Sequence, residues 1–336
     1  MPFRDVIGHV RLIDLLSRSV AGNTVPPSLL FAGPGGVGKH LTALAVAQAL
    51  NCVDPVISRQ SSVDACGTCT ACKRIARGVH PDVLLVGPGD SGAIKIDQVR
   101  DIVDRVAYRP FEGRRRVVII DEADALAYPA QNALLKTLEE PPPSSVLILV
   151  TSRPDMLLPT VLSRCPQLRF RLLSADDIAA ALVARGHSET KARAVAATAD
   201  GSLSHAMQAS AEDVVQSRDL AHRVLAHAAA QSDPARRIDG AKELLTKPPS
   251  GVTEREHMAT HLRAMAVLIR DVTVLATGAD ESTLANRDVR PALERLTTTY
   301  HGERGTRAFA AVDRALAALQ RNVGVKLVAD WLVLQL

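Results

Sequence analysis

The chain has 336 residues, 47% of them apolar and 23% charged, with a net charge of +4. Such a length suggests about two or three domains with a sizeable buried core, and no run of about 18 apolar residues is present to cross a membrane. Aromatic residues make up only 3%, too few for a surface that stacks on single-stranded bases, and the slight basic excess does not by itself argue for nucleic acid.

The opening Met1-Pro2-Phe3-Arg4-Asp5 lacks the apolar stretch of a signal peptide, so a cytoplasmic protein is expected. Candidate strands then follow at Ser28–Ala32, Asp82–Val86, Arg116–Ile120, Val146–Val150 and Gln167–Arg171. Between them lie helical patterns at Lys39–Leu50, Ile96–Val106 and Ala130–Glu139, the last stopped by Pro141-Pro142-Pro143. This alternation predicts a parallel sheet with helices on both faces. After about Ser174 the strands stop. Ser174-Ala175-Asp176-Asp177 reads as a helix N-cap with acids in the first turn, and alanine-rich helices follow, broken at Arg185-Gly186-His187 and Asp200-Gly201-Ser202. Met258, Leu262, Met265, Ile269 and Val272 form one core stripe, Phe309, Val312, Leu316 and Leu319 another, and a last helix near Lys326–Leu336 carries Trp331.

Gly33-Pro34-Gly35-Gly36-Val37-Gly38-Lys39-His40 has the spacing of a phosphate-binding loop except at its last position. It follows an apolar strand and opens a helix, the context such a loop requires. Glycines let successive N–H groups curl toward phosphate oxygens, the helix N-terminus adds partial positive charge, and Lys39 neutralises the β and γ phosphates. The pattern calls for Ser or Thr after the lysine, because a hydroxyl binds magnesium. Imidazole nitrogen is a poor substitute for a hard ion, so His40 predicts nucleotide (ATP or ADP) binding with weakened metal-assisted hydrolysis, and Thr42 lies on another helical face.

Val117-Val118-Ile119-Ile120-Asp121-Glu122 is an apolar strand ending in two carboxylates. Strand C-termini face the ligand crevice of a parallel sheet, where Asp121 would hold magnesium through water and Glu122 would orient the attacking water. Asp124 reads as a helix cap, and Arg114-Arg115-Arg116 as a solvated loop rather than a DNA contact. Cys52, Cys66, Cys69 and Cys72 cluster in the sequence, as structural zinc ligands do in reducing compartments, rather than as disulfides, with a redox relay or partly free thiols as the competing readings. His80 reads as a turn residue and Cys165 as buried.

Together with Asn132-Ala133-Leu134-Leu135-Lys136-Thr137-Leu138-Glu139-Glu140-Pro141-Pro142 and Leu162-Ser163-Arg164-Cys165, these residues resemble the bacterial clamp-loader subunits of DNA polymerase III, which are AAA+ proteins, over nearly the whole chain. Gly78-Val79-His80-Pro81-Asp82, Asn322-Val323-Gly324-Val325-Lys326-Leu327 and the stop at residue 336 are more similar to the delta-prime branch than to tau/gamma. The resemblance implies an α/β P-loop (AAA+) domain over residues 1–173 with an inserted zinc module at about 52–72, a small helical lid domain at 174–210 and an all-α collar domain at 211–336. It implies that Arg164 is a trans-acting arginine finger for a neighbouring subunit (a surface salt bridge being the alternative), that Thr151 and Ser152 stand at the γ-phosphate sensor, and that the segment around Ile7 flanks the adenine pocket. Gly201-Ser202-Leu203-Ser204-His205-Ala206 matches the second sensor helix, with Ser204 where tau/gamma sequences place an arginine. Partners implied are the tau/gamma and delta subunits in a hetero-oligomeric ring and, through the complex, the sliding clamp and primed DNA. The competing readings are an active tau/gamma-type motor ATPase and, less well supported, a zinc-dependent DNA-binding module built on a P-loop scaffold.

Overall fold

The computed structural model describes residues 1–57, 62–89, 92–208, 211–231, 233–248, 252–279, 284–286, 289–321 and 323–336. Asn322 of the C-terminal motif, and residues 209 and 210 at the second expected boundary, lie outside them. The strands are β1 (Ser28–Ala32), β2 (Val56–Ile57), β3 (Val63–Asp64), β4 (Val83–Val86), β5 (Arg116–Ile120), β6 (Ser145–Thr151) and β7 (Gln167–Arg169). The α-helices are α1 (Val10–Ala21), α2 (Lys39–Asn51), α3 (Thr70–Ala76), α4 (Ile96–Val106), α5 (Tyr128–Glu139), α6 (Pro159–Leu162), α7 (Ala175–Val183), α8 (Glu189–Thr198), α9 (Leu203–Gln208), α10 (Ala211–Ala230), α11 (Pro234–Leu244), α12 (Glu254–Thr277), α13 (Arg290–Thr297), α14 (Gly302–Gln320) and α15 (Val325–Gln335). The chain divides into two compact units, residues 1–177 with 201–204, and residues 178–200 with 205–336.

The first unit is built on a parallel sheet in the order β4-β5-β6-β1-β7. Alternation along β5 sorts its side chains onto two faces. Val117 and Ile119 join Leu29, Phe31, Val46 and Ile75 in one core, beneath α1, α2 and α3. Val118 and Ile120 join Leu30, Val99, Ile102 and Leu134 in the other, beneath α4 and α5. Both faces are covered, so β1, β5 and β6 are buried throughout, as strands of a doubly covered parallel sheet must be. The short hairpin β2–β3 is antiparallel and leaves α2 on the way to α3.

Arg116 corrects the reading of Arg114-Arg115-Arg116 as solvated. It is the buried first residue of β5, and its guanidinium lies 2.9 Å from Asp82 Oδ1. Asp82 also accepts from the backbone N–H groups of Phe111, Glu112 and Gly113 at 2.7–2.8 Å. Burial raises its pKa, but those N–H donors and Arg116 outweigh burial and hold it down to about 2. Arg115 is engaged too, donating to Asn23 Oδ1 at 2.8 Å and to the Pro143 carbonyl, which leaves Arg114 as the exposed member. His80 is in a turn, its Nδ1 accepting from Asp82 N at 3.2 Å.

The second unit is helical. Met258, Leu262, Met265, Ile269 and Val272 of α12 are all buried, packed with residues of α10, α13, α14 and α15. Of the stripe expected in α14, Val312, Leu316 and Leu319 pack on the core, but Phe309 is exposed and Ala308, Ala311 and Ala315 complete the inward face. Small alanine side chains permit this, because they allow close helix approach where phenylalanine would not fit. Tyr300 is fully buried and donates its hydroxyl to the Leu225 carbonyl at 3.0 Å. Asp271, also buried, accepts from Asn286 N at 2.9 Å and Asn286 Nδ2 at 2.8 Å. Among the described residues no helix is long and apolar enough to cross a membrane.

Candidate nucleotide site and metal centre

Strands β5, β6 and β1 are neighbours in the sheet, so their C-terminal ends bring Asp121, Thr151 and the loop after Ala32 together. The loop is tied down by Gly33 N, which donates to Thr151 O at 3.2 Å. Two of its glycines are required by geometry. Gly33 has φ +153°, and a Cβ there would come within 2.3 Å of the Phe170 carbonyl; Gly36 has φ +71°, and a Cβ would come within 2.0 Å of Ser202 Oγ. Gly35 and Gly38 face open space, which leaves room above the cradle. Gly38 caps α2 in the left-handed region, and Val37 is buried with its carbonyl 3.1 Å from His9 Nε2. Ile7, half-buried, precedes that histidine, and His9 stacks edge-on against Phe170 with ring centroids 4.9 Å apart.

Lys39 starts α2 and folds back over the loop, donating to the carbonyls of Gly33, at 2.7 Å, and Pro34. Burial lowers its pKa, and the carboxylates of Asp121 and Asp124 push it back up. His40 Nδ1 stands 2.8 Å from Asp121 Oδ2, without the alignment of a directed hydrogen bond. Burial raises Asp121, but His40, the Glu122 N–H and Lys39 outweigh it and hold the carboxyl below its ordinary value. Glu122 is exposed at φ +48°. The glycine cradle and Lys39 fit a phosphate chain. The donor set at the magnesium position, an imidazole against a carboxylate, does not fit that ion.

Asp124 is not a helix cap. It accepts from Thr151 Oγ1 at 2.8 Å and Arg153 Nε at 2.9 Å, with Ser152 N at 3.4 Å. It thereby locks the end of β6 to the turn after β5 and commits the Thr151 hydroxyl. Burial would raise its pKa, but Thr151 and Arg153 outweigh burial and lower it. Ser204 N donates to Gly36 O at 3.2 Å, placing the 201–204 segment against the phosphate loop.

Arg164 lies elsewhere. Its carbonyl accepts from Ser28 Oγ at 2.9 Å, and Ser28 begins β1, at the end of the strand away from Gly33. The guanidinium pairs with Glu139 and donates to Thr160 O at 2.9 Å. Cys165 beside it is buried, and burial pushes its thiol up to about 11.

The four clustered cysteines meet with all sulfurs within 4.8 Å of one another. Cys52 to Cys69 and Cys66 to Cys72 are both 4.0 Å, close to the roughly 3.8 Å edge of a tetrahedron with zinc–sulfur bonds of about 2.3 Å. Backbone N–H groups point at the sulfurs: Cys66 N at Cys52, Thr68 N and Cys69 N at Cys66, and Cys72 N at Cys69, at 3.2–3.5 Å. Such donors stabilise thiolates; at Cys66 burial works the other way but is outweighed, and the thiol is lowered to about 6. The cluster could hold a metal such as zinc. Arg4 clamps its rim, donating to Ala65 O at 2.9 Å and Cys66 O at 2.8 Å. Neither the Arg4 clamp nor the Asp124 lock was apparent from sequence, because their partners lie 27 to 62 positions away.

A sequence profile of the family described as DNA polymerase III, delta subunit, matches residues 8–174. The delta-prime subunit of DNA polymerase III from Bacillus subtilis (strain 168) is 28% identical over 334 residues, covering 97% of this chain and 95% of its own. That of Pseudomonas aeruginosa is 42% identical over 139 residues, 41% of each chain. The tau/gamma subunit of Haemophilus influenzae is 37% identical over 176 residues, 52% of this chain. The matched stretch spans only 25% of that subunit's length, and 47% of the gamma subunit from Buchnera aphidicola subsp. Acyrthosiphon pisum. The match over residues 8–174 and the alignment along 97% of the chain place this protein in the DNA polymerase III delta-prime family.

Proposed function

We propose that the chain is a clamp-loader subunit of a bacterial DNA polymerase III assembly, helping ATP-driven loading of a sliding clamp onto primed DNA. In this reading it sits in a cytoplasmic ring with tau/gamma and delta subunits, donates Arg164 to a neighbour's nucleotide, and hydrolyses ATP poorly itself. Residues 174–210 act as a helical lid and residues 211–336 as the collar through which subunits assemble. The cysteine cluster carries a structural zinc ion.

The observation that carries this reading is the position of Arg164. Its backbone is fixed at the start of β1, whereas the phosphate loop follows the end of that strand, which supports a role for the arginine at a nucleotide other than its own. An arginine supplied in trans can raise a phosphoryl-transfer rate by about 10³–10⁵. His40 beside Asp121 and Ser204 on the Gly36 carbonyl support weak hydrolysis at the chain's own loop. The test is Arg164→Ala in a reconstituted assembly. ATPase activity should fall while the assembly stays intact, and unchanged turnover would remove the finger role.

An active tau/gamma-type motor is the second reading, favoured by the retention of Lys39, Asp121 and Glu122 and by the tau/gamma matches. It requires ATP turnover by the isolated chain.

A further inference from the structure

We propose that His257 and His261, with Thr246, form a second metal site, in the helical unit, that takes a divalent transition ion such as zinc or nickel. The two histidines are four residues apart on α12 and therefore share one face. A capping box fixes the start of that helix, with Thr253 Oγ1 accepting from Glu256 N and Glu256 accepting from Thr253 N. His257 follows at once, so both rings hang from a backbone held in place. Their Nε2 atoms are 3.2 Å apart, with ring centroids at 4.3 Å and planes at 67°. Thr246 Oγ1, from the segment after α11, completes a triangle at 3.0 Å from His257 Nε2 and 3.3 Å from His261 Nε2.

The size of the triangle is informative. Tetrahedral zinc with nitrogen bonds of about 2.0–2.1 Å has nitrogen–nitrogen edges of roughly 3.3 Å. A compact triangle is a poor hydrogen-bonding arrangement, because each proton aimed along one edge leaves another edge unserved. A cation seated over its centre would instead meet all three lone pairs at once. His261 is buried, and its Nε2 faces His257 and Thr246. The triangle opens on a cavity of about 370 Å³ that Gln216 and Asp219 also line, leaving the remaining coordination positions to water or a carboxylate. Imidazole nitrogen favours zinc, nickel and copper over magnesium or calcium. His261 Nδ1 is buried without a partner. The second-nitrogen hydrogen bond that usually strengthens a metal-bound histidine is therefore missing, and binding should be reversible rather than resident.

The test uses the full chain with one zinc ion per molecule already in its four cysteines, titrated calorimetrically with nickel chloride. One further equivalent should bind, and His257→Ala and His261→Ala should each weaken it at least tenfold without changing the zinc content. His257 is only half-buried, so its variant should keep the far-UV circular dichroism of the parent. The absence of a further equivalent, or one that persists in His257→Ala, would overturn the site. So would binding of inorganic phosphate in the absence of nickel binding, which would assign the cavity to anions through Arg223 and Lys247.

Discussion

His40 Nδ1 stands 2.8 Å from Asp121 Oδ2, so the residue that replaces the usual hydroxyl also faces the carboxylate that magnesium would need. Substituting His40→Thr should remove that contact and supply an oxygen ligand. Magnesium-dependent nucleotide affinity, measured by calorimetry with and without the ion, should rise by about tenfold, or roughly 1.4 kcal/mol. Equal affinities in the two proteins would rule out His40 as the defect.

Gly36→Ala should be severe for a small change. The new methyl would meet Ser202 Oγ at 2.0 Å and Ser204 Cβ at 2.9 Å, at a backbone φ of +71°. Either the loop or the 201–204 segment must move, at a strain of about 1–3 kcal/mol. Nucleotide binding should be lost, and amide exchange in the 201–204 segment should quicken.

Removing one thiolate should open the metal centre. Cys66→Ser should cost more in zinc affinity than the ~10–100-fold typical of an outer-shell change, and a chelator should lower the melting temperature of the parent protein but not of the variant. A parent unaffected by metal removal would mean the cluster is not a structural metal site.

Asp82→Asn should destabilise the first unit by about 3–5 kcal/mol, because it leaves Arg116 buried without its counter-charge. The same pair sets an acid limit. Asp82 is held near 2 in the fold against about 3.9 in an unfolded chain. Its stabilising contribution is therefore complete above about pH 4 and is lost as pH falls through about 2. Acid unfolding curves of the parent should steepen in that window, and those of the variant should not.

Much of the first unit was legible in the sequence because its strands are β-branched runs set between strong punctuation. β1, β5 and α4 fall where the pattern put them, and α5 begins two residues earlier, with Pro129 in its first turn. The four cysteines and the phosphate loop were legible because each is a local motif. Long-range charge pairs were not. In the run of three arginines the strand pattern begins at Arg116, but nothing marks its charge as paired, since its partner Asp82 is 34 residues upstream. Asp124 was misread as a cap for the same reason, its true partner Thr151 lying on another strand. Phe309 misled because a phenylalanine in helical register looks like core, whereas the helix turns its alanines inward. The spacing of His257 and His261 puts both rings on one helix face, but Thr246, which meets both, comes from a separate segment that no periodicity reveals.

The cysteine cluster has a further consequence for how the chain is made. Cys66, Cys69 and Cys72 form one local knuckle, but Cys52 follows directly on the last turn of α2, the helix that the phosphate loop opens. All four cysteines leave the ribosome within twenty-odd residues of one another, before β4, β5 and β6 of the central sheet have been synthesised. An ion captured then would close a short loop at low entropic cost and fix the end of α2 while most of its sheet neighbours are still absent. The metal would in that sense act as a surveyor's mark, setting one end of α2 before the floor beneath it is laid.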